Sequence, residues 1–143
     1  MFRFILISTL TLLLSLASFA QQSPKTSNIQ AVKSSPAYAE ILLRKTELES
    51  DVESLLTTYT EDFPKIKESK FELSVIQKDL QTLLAQTDAS KLSLALGKLM
   101  VRRAALSTDV WDLQTKYGDD HPDVKRAKRK VSSFDNAIKE ILP

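Results

Sequence analysis

The segment Tyr117-Gly118-Asp119-Asp120-His121-Pro122-Asp123-Val124-Lys125 has a counterpart 58 residues upstream, Tyr59-Thr60-Glu61-Asp62-Phe63-Pro64-Lys65-Ile66-Lys67. Carried outward at that fixed offset without a gap, residues 39–84 match residues 97–142 at 13 of 46 positions. Arg44/Arg102, Leu48/Leu106, Asp51/Asp109, Val52/Val110, Leu55/Leu113 and Thr57/Thr115 precede the segment, and Lys70/Lys128, Ser74/Ser132 and Leu84/Leu142 follow it. A repeated segment of this length marks one supersecondary unit used twice. The chemistry of the segment says what kind. Gly118 suits the left-handed residue that ends a helix, Asp62 or Asp120 suits the acceptor for the next helix's free amides, and Pro64 or Pro122 suits its first turn. A stop and restart this short turns the chain back on itself, so each unit is expected to be an antiparallel helical hairpin.

The flanking apolar residues have helical spacing. Ile41, Lys45, Leu48, Val52, Leu55 and Tyr59 recur at alternating four and three residues, and Ile66, Ser69, Leu73, Ile76, Leu80 and Leu83 at three and four. The same seams return as Leu99, Arg103, Leu106, Val110, Leu113 and Tyr117, then Val124, Ala127, Val131, Phe134, Ile138 and Ile141. Such spacing lines up one face of a helix against a partner. The hairpins are placed at 36–86 and 88–142, with Ser35-Pro36 opening the first helix and Thr87 or Asp88 capping the third. Each helix runs about 20 residues, or about 30 Å. A second apolar stripe, with Leu42, Leu56, Phe71, Val75, Leu84, Leu94, Ala95, Leu96, Met100, Ala104 and Trp111, serves the first three helices only. The expected fold is therefore all-α: two tandem hairpins, arranged either as a loose four-helix bundle or as separate coiled-coil pairs.

Ahead of this domain, Arg3 precedes an apolar run from Phe4 to Leu16, and Ser18-Phe19-Ala20 ends with small residues at the places a signal peptidase reads. Residues 1–20 are expected to be a secretory signal peptide cleaved after Ala20, which places the mature chain in the periplasm or outside the cell. The run is shorter than the roughly 20 apolar residues of a membrane span, although an uncleaved anchor is the alternative. Residues 21–35 are polar, contain Pro24 and show no apolar period, so a disordered tether is expected there. The sequence has no cysteine, which excludes disulfides and lipid attachment at that residue. Without residues 1–20, 19 basic residues face 18 acidic ones, so overall charge names no partner.

No set of residues suggests catalysis: with one histidine and no cysteine, the usual nucleophiles lack partners. Asp119, Asp120, His121 and Asp123 are residue types that bind divalent ions, but helix capping accounts for them, and the upstream copy has Phe63 and Lys65 in place of His121 and Asp123. No metal or cofactor is expected. Lys45 and Arg103 occupy the same seam position and are expected to snorkel, reaching a carboxylate such as Asp79 or Glu140. Charge is uneven: Lys125, Arg126, Lys128, Arg129 and Lys130 make the last helix basic, while Glu40, Glu47, Glu49, Asp51 and Glu53 make the first acidic. Two readings remain open, mutual neutralisation within one bundle or a face for an anionic partner such as envelope polysaccharide, lipid head groups or an acidic protein. Nucleic acid is not expected, since no aromatics interleave with the basic run.

The phrase from Leu113 through Tyr117, His121 and Pro122 to Lys125 resembles a stretch in the periplasmic coiled coils of polysaccharide chain-length determinants and exopolysaccharide-export proteins. There, a helix ends in a Tyr-x-x-x-His-Pro turn and the next begins. The resemblance implies a periplasmic helical hairpin used for assembly or partner contact in the envelope. In architecture alone the chain is also similar to small ATP-independent periplasmic chaperones, without their Leu-Thr-x-x-Gln repeats. The functional expectation is an exported, non-enzymatic scaffold or binding protein of the cell envelope, with chaperone action on unfolded clients as the alternative. Homo-oligomers through the helical seams are a further expectation.

Overall fold

The computed structural model describes residues 24–143. They form α1 (Pro24–Lys33), α2 (Pro36–Leu56), α3 (Pro64–Leu84), a 3-10 turn (Ala89–Lys91), α4 (Leu94–Lys116) and α5 (Pro122–Ile141), with no strand among the described residues. The chain is thus all-α. The expected signal peptide and the first residues of the expected tether lie outside the described residues.

The rest of that tether is a correction. Residues 24–33 form α1, which ends in a tight corner where Ser35 N donates to Val32 O at 3.0 Å. Val32 is fully buried in the main core, and Asn28 Nδ2 donates to Gln86 O at 2.9 Å. One buried aliphatic residue and one long-range hydrogen bond hold a segment too polar to show an apolar period of its own. The helix starts also differ in part from expectation. Ser35 caps α2 as expected, its Oγ accepting from Tyr38 N at 3.3 Å with Pro36 in the first turn. At the second joint neither Thr87 nor Asp88 caps α4. Asp88 caps the 3-10 turn through Ser90 N, and Ser93 caps α4 by accepting from Leu96 N at 3.3 Å.

Helix α4 makes the molecule one body. It packs against α2, α3 and α5, whereas α5 packs extensively on α4 alone. The hairpins are therefore not separate coiled pairs. Helices α2 and α4 start at the same end, where Ala37 N donates to Leu92 O at 3.2 Å and Gly97 lies against Ala37. A Cβ built on Gly97 would come within 2.9 Å of Ala37 Cα, so at this point the two backbones touch. Leu96, Met100 and Ala104 of the second apolar stripe of α4 then enter a core with Ile41, Leu48, Ile76, Leu80 and Leu83. Each such aliphatic side chain contributes about 1.5–3 kcal/mol on full burial. Because α4 spends this stripe on α2 and α3, its seam is left to α5. Leu106 is buried there, but Leu99, Val110 and Leu113 are only half-buried, and Val124 is the one buried residue of α5.

Two arginines join the helices through ion pairs. Arg44 of α2 forks onto Glu72 of α3 at 2.8 and 3.1 Å, and Glu72 is buried. Arg103 of α4 binds Asp79 of α3, one of the two carboxylates expected for it, and lies 3.7 Å from Asp135 of α5. Lys45 instead pairs within its own helix with Glu49. Asp79 is 3% exposed, and its Oδ2 makes no hydrogen bond among the described residues. Burial pushes its carboxyl up to about 6, with Arg103 opposing and Asp135 adding to the rise.

Gly97→Ala adds a methyl group that meets the Ala37 backbone and the Glu40 Cβ, none of which can swing aside, so the helix-propensity gain of about 1 kcal/mol is outweighed and α2 and α4 separate. A loss of about 1–3 kcal/mol is expected on chemical denaturation. The Asp79 carboxyl binds its proton more tightly in the folded chain than in the unfolded one. Its contribution therefore falls as pH rises through the window from the ordinary aspartate value to about 6. Asp79→Asn should remove that fall, a difference on the order of 2 kcal/mol between wild type and variant profiles measured from pH 4 to pH 7.

Candidate functional site

The basic helix begins at a turn whose parts are assigned differently from the sequence reading. Helix α4 ends at Tyr117 in extended conformation, and Gly118 does not take the left-handed conformation expected of it. His121 is the N-cap: its Nδ1 accepts from Asp123 N at 3.3 Å, and its carbonyl accepts from Lys125 N at 3.0 Å. In the first turn Phe63 holds the same place without a side-chain cap, so neither Asp120 nor Asp62 caps a helix. Each is instead an ion-pair partner within the turn, Asp120 for Lys125 at 2.9 Å and Asp62 for Lys67 at 2.8 Å. Pro122 and Pro64 do open α5 and α3.

The sequence reading missed what braces these turns. Tyr117 stacks on His121 with ring centroids 4.2 Å apart, and Tyr59 stacks on Phe63 at 4.1 Å. The four-residue spacing of the two rings is visible in the sequence, but that the residue before each proline is the second ring of a stacked pair is not. Both tyrosines are otherwise half in solvent. Asp119 completes the second turn by accepting from Gln114 at 2.6 Å and Lys128 at 3.0 Å, which hold its carboxyl below the usual carboxylate range. It ties the end of α4 to the second turn of α5. No group of three or more metal-binding side chains occurs among the described residues.

From this turn α5 projects Lys125, Arg126, Lys128, Arg129 and Lys130, all exposed. Lys125, Lys128 and Arg126 meet Asp120, Asp119 and Asp123 of their own turn, while Arg129 and Lys130 have no ion pair among the described residues. None of the five pairs with α2. The neutralisation of the basic helix by the acidic one does not occur, because α4 lies between them. On α2, Glu47 pairs with Arg44 and Glu49 with Lys45, both within the helix, and Asp51 and Glu53 are exposed without a cation among the described residues.

Two grooves flank α5. One, of about 400 Å³, runs along α4 past Leu106, Asp109, Asp112, Asp123, Arg126 and Lys130. The other, of about 470 Å³, lies between α3 and α5 with α4 as its floor, where Phe71, Val75, Met100 and Ile138 provide apolar walls and Lys78 and Lys139 stand on opposite sides. At its α3 side Phe71 stacks on Trp111 at 5.2 Å.

Phe63 stacks and precedes its helix without a side-chain cap, so His121→Phe, which keeps the stack and loses only the long, exposed Nδ1 bond, should lower the melting temperature little. His121→Ala should lower stability by about 0.5–1.5 kcal/mol through loss of the stacked pair. Thermal melts by circular dichroism separate the two. No protein-family model, no curated protein and no solved structure matches the chain.

Proposed function

We propose that this chain is an exported, non-enzymatic helical binding or scaffold protein of the cell envelope, and that the N-terminal half of α5 is the surface with which it holds an anionic partner. The observation that carries the reading is the exposure of five cations within six positions of α5, none of them neutralised by the acidic helix of the same chain. Lysine and arginine side chains arranged this way raise the local concentration of anions and speed their capture. The α4–α5 turn holds the face in place, since Asp119 and the Tyr117–His121 stack fix how α5 leaves α4. The resemblance of this turn to those of exopolysaccharide-export proteins agrees with an acidic polymer of the envelope as that partner.

A second reading, an ATP-independent chaperone, has one observation in its favour. The groove between α3 and α5 is open, partly apolar and edged by Lys78 and Lys139, which is a surface suited to an unfolded segment. Under this reading Ile138→Asp should abolish suppression of aggregation of a denatured model client, whereas under the first it should leave polyanion binding intact.

The test of the first reading uses Arg129→Glu with Lys130→Glu, two residues that hold no ion pair within the chain. Binding to an immobilised uronic-acid polymer should be strong at low salt and fall steeply as ionic strength rises, since exposed charges are screened over about 8–10 Å at physiological salt. The double variant should lose that binding with its helicity and melting temperature unchanged. Binding that is indifferent to both salt and the double substitution overturns the reading.

A further inference from the structure

We infer that the acidic partner of the α5 face includes α2 of a second copy of this chain, so that the protein self-associates through oppositely charged helices on opposite sides of α4. The inference rests on the reading of α5 as an anion-binding face and names an occupant for it.

Three observations carry it. Charge is segregated within the molecule: α2 holds Glu40, Glu47, Glu49, Asp51 and Glu53, of which Glu47 and Glu49 pair within the helix and Asp51 and Glu53 stand exposed without a cation among the described residues; α5 holds its five cations, and the two helices do not pack extensively on each other. Both faces have apolar surface to bury once charge has brought them together. On α2, Leu42 is 41% and Leu43 58% exposed, large values for leucine. On α5, Phe134 is only half-buried and is not among the residues packed on the main core, whereas Ile138 and Ile141 are. Finally, the whole chain has a formal net charge of only +2, so copies do not repel one another strongly, and the attraction between unlike faces decides how they approach. An acidic helix bearing leucines and a basic helix with a half-open apolar stripe are complementary in both respects. Within one chain they cannot meet. Between two chains they can, and because the two surfaces differ, the contact is heterologous and joins further copies into a ring or a row unless it closes reciprocally on two.

The experiment is sedimentation of the purified chain with two variants. One reverses the two unpaired acidic residues that flank the buried Val52 on either side of α2, Asp51→Lys with Glu53→Lys; the other reverses the basic face, Arg129→Glu with Lys130→Glu. None of these four residues has an ion pair among the described residues, so both variants should melt as the wild type does. The wild type should associate at 25 mM salt, with the association constant falling at least about tenfold by 300 mM. Each variant alone should stay monomeric, and an equimolar mixture of the two should associate again, since each then offers what the other lacks. Association of either variant alone to the wild-type extent overturns the inference, as does a mixture that stays monomeric. A wild type that is monomeric at 25 mM salt yet binds the uronic-acid polymer also overturns it while leaving the proposed function standing. Self-association rescued by mixing, with no polymer binding by the wild type, supports it and removes the polymer as a partner.

Discussion

Two helices reach backbone contact only where no side chain stands between them, and α2 and α4 do so at Ala37 and Gly97. The rest of the arrangement depends on this approach. It brings Leu96, Met100 and Ala104 onto Ile41 and its neighbours, lets α3 pack on both α2 and α4, and joins what would otherwise be two hairpins into one core. It also determines what is left over. A helix has a limited apolar circumference, and α4 uses its more apolar side on α2 and α3, so α5 receives the narrower seam and is covered on one side only.

The turns and the seams were legible in the sequence because they depend on local chemistry. Pro64 and Pro122 open helices for the same steric reason in any context, Ser35 caps α2 through a hydroxyl three residues from its donor, and the spacing of Ile41, Leu48 and Val52 is that of a buried stripe. The partner of Arg103 was also within reach, since a guanidinium on an apolar seam must find a carboxylate on a neighbouring helix.

What was not legible depends on which helix lies beside which. Gly97 was one of two glycines, and nothing adjacent in sequence says that Ala37 stands against it. The acidic and basic helices look like natural partners until α4 is placed between them. Helix α1 is not legible because Ile29 and Val32 are too few to set an apolar period, and the burial of Val32 is a property of the corner it occupies. Asp62 and Asp120 were read as caps from their position before proline. The cap falls one residue later because each proline is itself the first helical residue, and the aromatic residue before it, Phe63 or His121, becomes the boundary. The ion pairs differ for a similar reason. At the 58-residue offset Arg102 and Lys130 stand where Arg44 and Glu72 form their fork, so the second hairpin has two cations where the first has a buried pair.

That α5 rests on a single neighbour also bears on how the fold comes apart. Cooperative units in a native protein open at free energies that follow their share of buried contacts. Helices α2, α3 and α4 bury one another and should protect their amides up to the global limit. Only Val124 of α5 is fully buried; Ile138 and Ile141 rest on the edge of the core, and beyond the turn its ionic tie to the core is Asp135 with Arg103. The outward amides of α5 should therefore exchange with solvent before those of the three-helix core, which gives its basic surface the least rigid support in the molecule.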